Sequence, residues 1–282
     1  MAIEFLKKAK KNPRTGEEDV SRIVMEMLSE IETGGEERVK EYAINLDHYT
    51  GDIVVSSEEI AEKSAKVPQQ LKDDINFAYD RVRTFANLQL ESMTEFESEI
   101  APELFCGQRL IPVETTGCYV PGGRYAHVAS AIMSVTTARV AGVKNIVACS
   151  PPKLGEGVNP AILYTMDLCG ADTILAIGGV QGIAAMAFGL FSGNPADILV
   201  GPGNRYVAEA KRILYGKVGI DLFAGPTEIA IIADETADPD IVSSDLVGQA
   251  EHGPDSPAWL ITTSRELAAL VISRVPVLIA DL

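Results

Sequence analysis

The sequence predicts an α/β protein of two domains, each built on a parallel sheet. From about Thr115 to Gly219, short apolar runs alternate four times with segments of helical periodicity. This alternation is typical of βαβ units in a sheet that is buried on both faces. A second, shorter alternation follows between Thr227 and Val275. The length of 282 residues, beyond the usual size of one hydrophobic core, also favours two domains.

Helices are expected to precede the sheets, over the first hundred residues. Apolar residues recur at helical spacing in residues 18–31 and 36–46. Ser56 and Glu59 have the spacing of a capping box, which predicts that a helix begins there. Pro68 is expected near the start of a longer helix. None of these segments resembles a chemical site.

The α/β elements follow in a regular order. Strands and helices are expected at TTGCYV, SAIMSVTTARVAG, NIVACS, PAILYTMDLCG, TILAIGG, QGIAAMAFG, DILVGPG and RYVAEAKRILYG. We place this domain at residues 119–225. TEIAIIAD, PDIVSSDLVGQAEH, AWLITTS and RELAALVISRV predict strand, helix, strand and helix in residues 226–282, which return to a first domain begun by residues 1–118. That discontinuous domain is expected to be incomplete, with an open apolar sheet edge after VLIADL.

Composition excludes several classes of partner. The formal charge of −16 disfavours nucleic acid and anionic membrane surfaces. The N-terminus has no apolar core of signal-peptide length, and no apolar run reaches membrane-spanning length. The four cysteines are widely spaced and contain no C-x-x-C pair, which favours a reducing, cytoplasmic setting.

Three glycine-rich turns each follow a predicted strand and open a predicted helix. They are YVPGG at residues 119–123, GGVQ at 178–181 and GPGN at 201–204. Ligands of open parallel sheets bind beyond the carboxyl ends of the strands, where these turns lie. No run matches G-x-G-x-x-G, because Tyr206 stands where the third glycine is required. Tight turns without a ligand role remain the alternative to a nucleotide site.

The histidines offer two candidate sites. Gln249 and His252 are three apart near a helix end, so they share a face. Imidazole is a good zinc ligand and an amide oxygen an unusual one, although the pair also fits a capping or surface role. Arg124 and His127 lie in a glycine-rich loop, either as an anion-recognising pair or facing solvent. His48 is expected in surface or interdomain packing.

Six motifs together are more specific than any one of them. YVPGGRYAHVAS, GGVQGIAAMAFG, VGPGNRYVAEAKR, GIDLFAGPTE, IADETADPD and DLVGQAEHGPDS, in this order, resemble the histidinol dehydrogenase family. The resemblance implies two Rossmann-like domains that lack the usual dinucleotide fingerprint, assembled as a homodimer. It also implies zinc-requiring, NAD-dependent oxidation of a primary alcohol to a carboxylate in two hydride transfers through an aldehyde.

The resemblance carries roles over to six positions of this chain. The implied NAD contacts are Tyr119, Gln181 and Asn204. The implied substrate contact is Thr227. The implied zinc ligands, which also touch the substrate, are Gln249 and His252. Thr227 departs from the serine that is usual in histidinol dehydrogenase itself. No counterpart of the family's catalytic pair is found before Leu282.

The loop GGRYAHVASAIMSVTTARVAG is more similar to one branch of the family, the sulfopropanediol 3-dehydrogenases. That branch oxidises 2,3-dihydroxypropane-1-sulfonate to sulfolactate. Histidinol dehydrogenases generally carry lysine where Arg124 stands and tyrosine where His127 stands. A sulfonate suits a forked guanidinium and an imidazole, whereas histidinol brings a cationic amine. The expected substrate is therefore an anionic alcohol, with L-histidinol as the alternative.

Members of the family are longer than this chain. Their downstream part carries a Glu-His pair for acid/base work and two further zinc ligands, an aspartate and a histidine. We therefore expect these 282 residues to match the N-terminal two-thirds of such an enzyme, to bind zinc weakly and to show no turnover, while weak NAD binding survives. The alternative of another class is a non-catalytic dinucleotide-binding module that ends at Leu282.

Overall fold

Residues 3–8, 17–122, 126–223, 227–250 and 256–280 are described by the computed structural model. The chain divides into two units, one of Glu18–Phe223 and one of Met1–Glu17 with Ala224–Leu282. Among the described residues, none of the helices combines the length and apolar character that crossing a bilayer requires.

The larger unit begins with three helices, α1 (Glu17–Asp47), α2 (Ser57–Ala65) and α3 (Gln69–Glu91). Gly35 interrupts α1 with φ 60° and ψ −145°, between the two segments that the periodicity predicts. The predicted start of α2 is confirmed, because the side chain of Ser56 accepts a hydrogen bond of 3.1 Å from the N–H of Glu59. Pro68 directly precedes α3, as predicted.

An antiparallel hairpin follows, with β1 at Phe96–Ala101 and β2 at Leu104–Gln108. The expectation that the first hundred residues are helical is wrong for β1. Every residue of both strands is exposed. Because neither face of the hairpin is buried, its sequence lacks the alternation of apolar and polar residues that marks a half-buried strand.

The centre of this unit is a five-stranded parallel sheet. Its strands are β3 (Thr115–Tyr119), β4 (Asn145–Ser150), β5 (Thr173–Ala176), β6 (Ile198–Val200) and β7 (Gly219–Ile220), in the spatial order β5-β4-β3-β6-β7. The connecting helices are α4 (Val128–Val140), α5 (Pro160–Cys169), α6 (Gly179–Phe188) and α7 (Arg205–Leu214). The strand order reverses between β3 and β6. That reversal is the topological switch point at which doubly wound sheets bind ligands.

Helices cover both faces of this sheet. In β4, Val147 and Cys149 face the cluster that contains α1, α6 and α7, whereas Ile146 and Ala148 face the cluster of α3, α4 and α5. All four side chains are at most 1% exposed. Burial on both faces explains why the strand segments are continuous apolar runs.

The N-terminal helices belong to the same unit as this sheet, whereas the sequence assigned residues 1–118 to the other domain. The contact is direct: the N–H of Val55 donates to the carbonyl of Ile174 at 2.9 Å, and the N–H of Ala176 donates to the carbonyl of Ile53 at 2.7 Å. The segment before α2 thus extends the sheet beyond β5. The division into domains at residues 118 and 225 stays a prediction.

The smaller unit contains the second predicted alternation. It consists of β8 (Ile229–Ala233), α8 (Pro239–Ala250), β9 (Ala258–Thr262) and α9 (Arg265–Ala280), and its two strands are parallel. Val242, Leu246, Leu267 and Val271 form its core. We expected α9 to end at Val275, but the helix continues through Pro276 to Ala280.

Candidate functional site

Tyr119, the last residue of β3, joins the three glycine-rich turns. Its hydroxyl accepts a hydrogen bond of 3.1 Å from the N–H of Gly179, which opens α6 after β5. Its carbonyl oxygen lies so close to Gly201 that a Cβ there would approach it to 2.1 Å. Tyr119 is 3% exposed, and this burial raises the pKa of its phenol, so the hydroxyl keeps its proton.

Gly201 needs its missing side chain for two reasons. Besides the contact with Tyr119, its φ of 111° lies in the left-handed region that favours glycine. Gly201 begins the GPGN turn, which follows β6. Strand β6 is the neighbour of β3 in the sheet. The turns after β3 and β6 therefore meet at the switch point, as the ligand hypothesis requires.

Gln181 lies in the first turn of α6 and is 2% exposed. Its Nε2 donates a hydrogen bond of 2.9 Å to Oδ2 of Asp47, the last residue of α1. Burial raises the pKa of the Asp47 carboxyl, while the hydrogen bond from Gln181 and the charge of His48 act in the opposite direction. A half-buried carboxylate therefore lies beside the turn after β5.

Asn204 caps α7. Its Oδ1 accepts hydrogen bonds from the N–H groups of Tyr206 at 3.0 Å and Val207 at 3.1 Å. Asn204 itself is exposed, and no described residue accepts from its side-chain NH₂ group. This amide therefore offers two donors at the switch point.

An ion pair between the buried Lys211 and the partly exposed Asp221 holds the GPGN turn. Lys211, 5% exposed, donates to the carbonyl of Gly201 at 3.0 Å and to Oδ1 of Asp221. Asp221 returns a contact to the same glycine, because its Oδ2 accepts from the N–H of Gly201 at 2.8 Å. Both backbone groups of Gly201 are therefore fixed by charged side chains.

In the smaller unit, Thr227 and Gln249 contact each other. Nε2 of Gln249 donates to the Thr227 hydroxyl at 2.8 Å and to its carbonyl at 3.0 Å. Because the amide nitrogen is engaged there, Oε1 is the atom that remains to bind a ligand. The two residues lie 22 positions apart, Thr227 just before β8 and Gln249 near the end of α8.

The described residues do not by themselves fit a catalytic zinc ion. Such a site usually has three protein ligands, and Gln249 supplies one amide oxygen. Within the described ranges, no group of three or more His, Cys, Asp or Glu side chains is arranged to hold a metal. His252, the second ligand implied by the resemblance, lies outside the described residues, and so does Arg124.

The two histidines that the structure describes, His48 and His127, lie in different connections of the larger unit. His127 is half-buried and directly precedes α4, so it lies in the connection that follows β3. His48 is exposed after α1, with φ of 52°. Tyr119, Gln181 and Asn204 are the candidate residues that the structure brings to one edge of the sheet.

Sequence reasoning missed three charged residues of this site. Lys211 had a detectable signal: it occupies the buried face of α7 together with Val207, Ala210 and Leu214, where a lysine is unusual. Asp47 had no such signal, because Gln181 is 134 positions away, and Asp221 had none, because ten positions separate it from Lys211 and no helical or strand periodicity links the two.

Comparisons with known proteins agree with this architecture. Residues 10–282 match the family model described as histidinol dehydrogenase. The chain is 61% identical over its whole length to a histidinol dehydrogenase homolog of Pelagibacter ubique, of which it covers 66%. It is 57% identical, again over its whole length, to the sulfopropanediol 3-dehydrogenase of Ruegeria pomeroyi, of which it covers 65%.

One solved structure matches nearly all of this chain. The crystal structure of histidinol dehydrogenase from Elizabethkingia anophelis is 35% identical and aligns with a TM-score of 0.83 over 98% of this chain and 62% of its own. The predicted α/β class with a parallel sheet is confirmed by this match. The chain spans between 62% and 66% of the length of these three proteins.

Proposed function

This chain belongs to the histidinol dehydrogenase family, and on that premise we propose that it binds NAD at the β3–β6 switch point as part of an alcohol dehydrogenase. The enzyme of which this chain would form part oxidises a primary alcohol to a carboxylate through an aldehyde. The observation that carries the proposal is the meeting of the YVPGG and GPGN turns at the switch point, with the GGVQ turn tied to them through Tyr119.

NAD, when bound, would accept one hydride, so the two oxidation steps would consume two NAD molecules in succession. The chain's own residues bind and orient the cofactor. Asn204 donates from its NH₂ group, Lys211 and Asp221 keep the Gly201 backbone in place, and Gln181 offers its amide at the start of α6. Positioning of this kind makes hydride transfer effectively unimolecular.

The smaller unit contributes the proposed zinc ligands and three of the proposed substrate contacts, Thr227, Gln249 and His252. Thr227 holds the Gln249 amide so that its oxygen is available, and His252 is the proposed second zinc ligand of this chain. Two ligands are fewer than a catalytic zinc usually has, so we derive no step through the metal. We expect the 282-residue chain to bind zinc weakly, which equilibrium dialysis measures, and to reduce no NAD. Robust NADH formation by this chain overturns that expectation.

The proposed substrate is 2,3-dihydroxypropane-1-sulfonate, oxidised to sulfolactate. Arg124 and His127 supply charge-assisted donors for a sulfonate, and the Ruegeria pomeroyi relative with that name is 57% identical. L-histidinol is the second candidate, since the matched crystal structure is of a histidinol dehydrogenase. Initial rates with both alcohols, measured on the product of the whole coding frame, decide between them. Faster turnover of histidinol overturns the sulfonate assignment.

The assembly is proposed to be a cytoplasmic homodimer without nucleic-acid or membrane partners. The charge of −16 supports the exclusion of polyanions. One face of α3 packs on α4, and the opposite face exposes an apolar stripe of Phe77, Phe85 and Leu88, each at least 56% exposed. A second copy would cover such a stripe. Sedimentation equilibrium of the product of the whole coding frame and of its Phe85→Glu variant tests the dimer; a monomer of the unsubstituted product at micromolar concentration overturns it.

NAD binding is the primary test of the function. Titration calorimetry of the chain should show weak binding that Asn204→Ala reduces further, because the exposed amide donors are lost. A continuation of the coding frame past codon 282 with a Glu-His pair supports the enzyme. A stop codon there, together with NAD binding, supports the non-catalytic module instead.

A further inference from the structure

Asp47 brings a carboxylate from the end of α1 to the first turn of α6. Its Oδ2 accepts the hydrogen bond of 2.9 Å from Nε2 of Gln181, 134 positions further along the chain. Gln181 is almost fully buried and Asp47 is half-buried. The contact therefore joins the LDHYTG segment to the GGVQ turn, and none of the roles carried over from the family falls on LDHYTG.

The position of this carboxylate is unfavourable for folding. The C-terminus of a helix carries a partial negative charge that repels an anion, and the last turn of α1 contains no basic residue. Burial also disfavours the charged form and raises the pKa of Asp47. A charged group that is kept where it opposes stability points to a role in the site rather than in the fold.

The carboxylate determines which end of the Gln181 amide faces which neighbour. An ionised carboxylate only accepts hydrogen bonds, so the NH₂ group must face Asp47. The amide oxygen is then the end nearer the turn: a Cβ added to Gly179 would lie 3.0 Å from Oε1 of Gln181 and 3.4 Å from its Nε2. Without Asp47, the two ends of the amide can exchange places.

This turn is poorly suited to a phosphate. The Gly179 N–H at the start of α6, which would otherwise attract an anion, already donates to the Tyr119 hydroxyl. The negative charge of the adjacent Asp47 carboxylate also repels a phosphate. The Gln181 oxygen is consequently suited to an uncharged donor.

We infer that Asp47 is a positioning residue that holds the Gln181 oxygen toward the Gly179 turn, where it accepts a hydrogen bond from an uncharged donor of the dinucleotide such as a ribose hydroxyl. The inference rests on the proposed NAD function. It assigns the GGVQ turn to the ribose part of NAD and leaves the pyrophosphate to the turns after β3 and β6.

NAD affinity of Asp47 and Gln181 variants, measured by titration calorimetry, tests this role. Asp47→Ala is expected to weaken binding about tenfold, the size expected when one hydrogen bond is lost or misoriented. Asp47→Asn keeps an acceptor for Gln181 and should stay within about threefold of the wild type. In a Gln181→Ala background, Asp47→Ala should add no further loss, because Asp47 acts through Gln181.

The matched control is Asp73→Ala. Asp73 accepts a hydrogen bond of 2.8 Å from Gln69 on exposed α3, the same pair of groups away from the site, and its loss should not change NAD affinity. Asp47→Ala leaves the buried NH₂ group of Gln181 without its acceptor, so its thermal midpoint is expected to fall, whereas Asp47→Asn keeps an acceptor and should not fall below the wild type. An affinity loss in Asp47→Asn as large as that in Asp47→Ala overturns the inference.

The wild-type titration separates the two proposals. If the wild-type chain binds no NAD at millimolar concentration, the proposed function fails and the inference fails with it. If the wild type binds NAD and Asp47→Ala binds equally tightly, only the inference fails. Additive losses in the double variant also overturn the inference alone, since they show that Asp47 does not act through Gln181.

Discussion

Replacing Lys211 with methionine tests how the GPGN turn is held. The wild-type ammonium donates to the Gly201 carbonyl and to Asp221 in surroundings that leave Lys211 5% exposed. Methionine retains most of the methylene packing on the buried face of α7, so the change removes the charge and its hydrogen bonds with little loss of volume. Asp221 and the Gly201 carbonyl are then left without this partner.

The expected loss in the free energy of unfolding follows from these contacts. Breaking a buried ion pair by removing one partner costs about 3–5 kcal/mol. The Asp221 side chain is 27% exposed and keeps the N–H groups of Gly201 and Leu222 as donors, which favours the lower end of that range. We expect Lys211→Met to lower the free energy of unfolding by about 3 kcal/mol. For a unit of this size, that corresponds to a fall of about 6–12 °C in the thermal midpoint.

Urea unfolding followed by far-UV circular dichroism measures the loss. Trp259, the single tryptophan of the sequence, lies in the other unit, so its fluorescence reports separately on that unit. The matched control is Lys217→Met: Lys217 pairs with Glu32 on the surface, with both side chains more than half exposed, and its loss should cost less than about 1 kcal/mol. Equal losses in the free energy of unfolding for Lys211→Met and Lys217→Met would refute a structural role for the Lys211–Asp221 pair. Adding Asp221→Asn to Lys211→Met should cost less than the sum of the single changes.

Three further predictions concern stability. Gly201→Ala should cost at least about 2 kcal/mol in urea unfolding, because φ is 111° and the added Cβ would lie 2.1 Å from the Tyr119 carbonyl oxygen. Ser56→Ala removes the side-chain cap of α2 and should cost about 1 kcal/mol in the same assay. Since folding raises the pKa of Asp47, Asp47→Asn should raise the thermal midpoint at neutral pH, by an amount that shrinks as the pH falls through the folded pKa toward 3.8. An advantage that grows on acidification would contradict this sign.

The sheet and its turns could be predicted because their signals are local. Each central strand is buried on both faces and therefore appears as a short apolar run, and each turn requires glycine directly after that run. The Ser56 cap likewise depends on two residues three positions apart. The hairpin of β1 and β2 was missed, because strands exposed on both faces carry no periodicity that distinguishes them from loops.

The side-chain contacts of the site could not be predicted from the sequence for a different reason. Asp47 and Gln181 are 134 positions apart, and Thr227 and Gln249 are 22 apart, so only the folded chain brings them into contact. Resemblance identified Gln181 and Gln249 individually, but not the residues that orient their amides. Those partners decide which amide atom faces a ligand, and therefore which chemistry each amide can perform.

The absence of the usual dinucleotide fingerprint has a structural reason in the helix N-termini. In the fingerprint, free N–H groups at a helix start bind the pyrophosphate. Here the Gly179 N–H donates to the Tyr119 hydroxyl, and the N–H groups of the second and third residues of α7 donate to Asn204. Side chains already satisfy these donors, and a half-buried Tyr206 stands where the fingerprint has the third glycine, which permits close packing of helix and strand. A dinucleotide bound here, as proposed above, would be held by side-chain amides and by the backbone of the turns, and the half-buried Asp47 carboxylate orients the Gln181 amide.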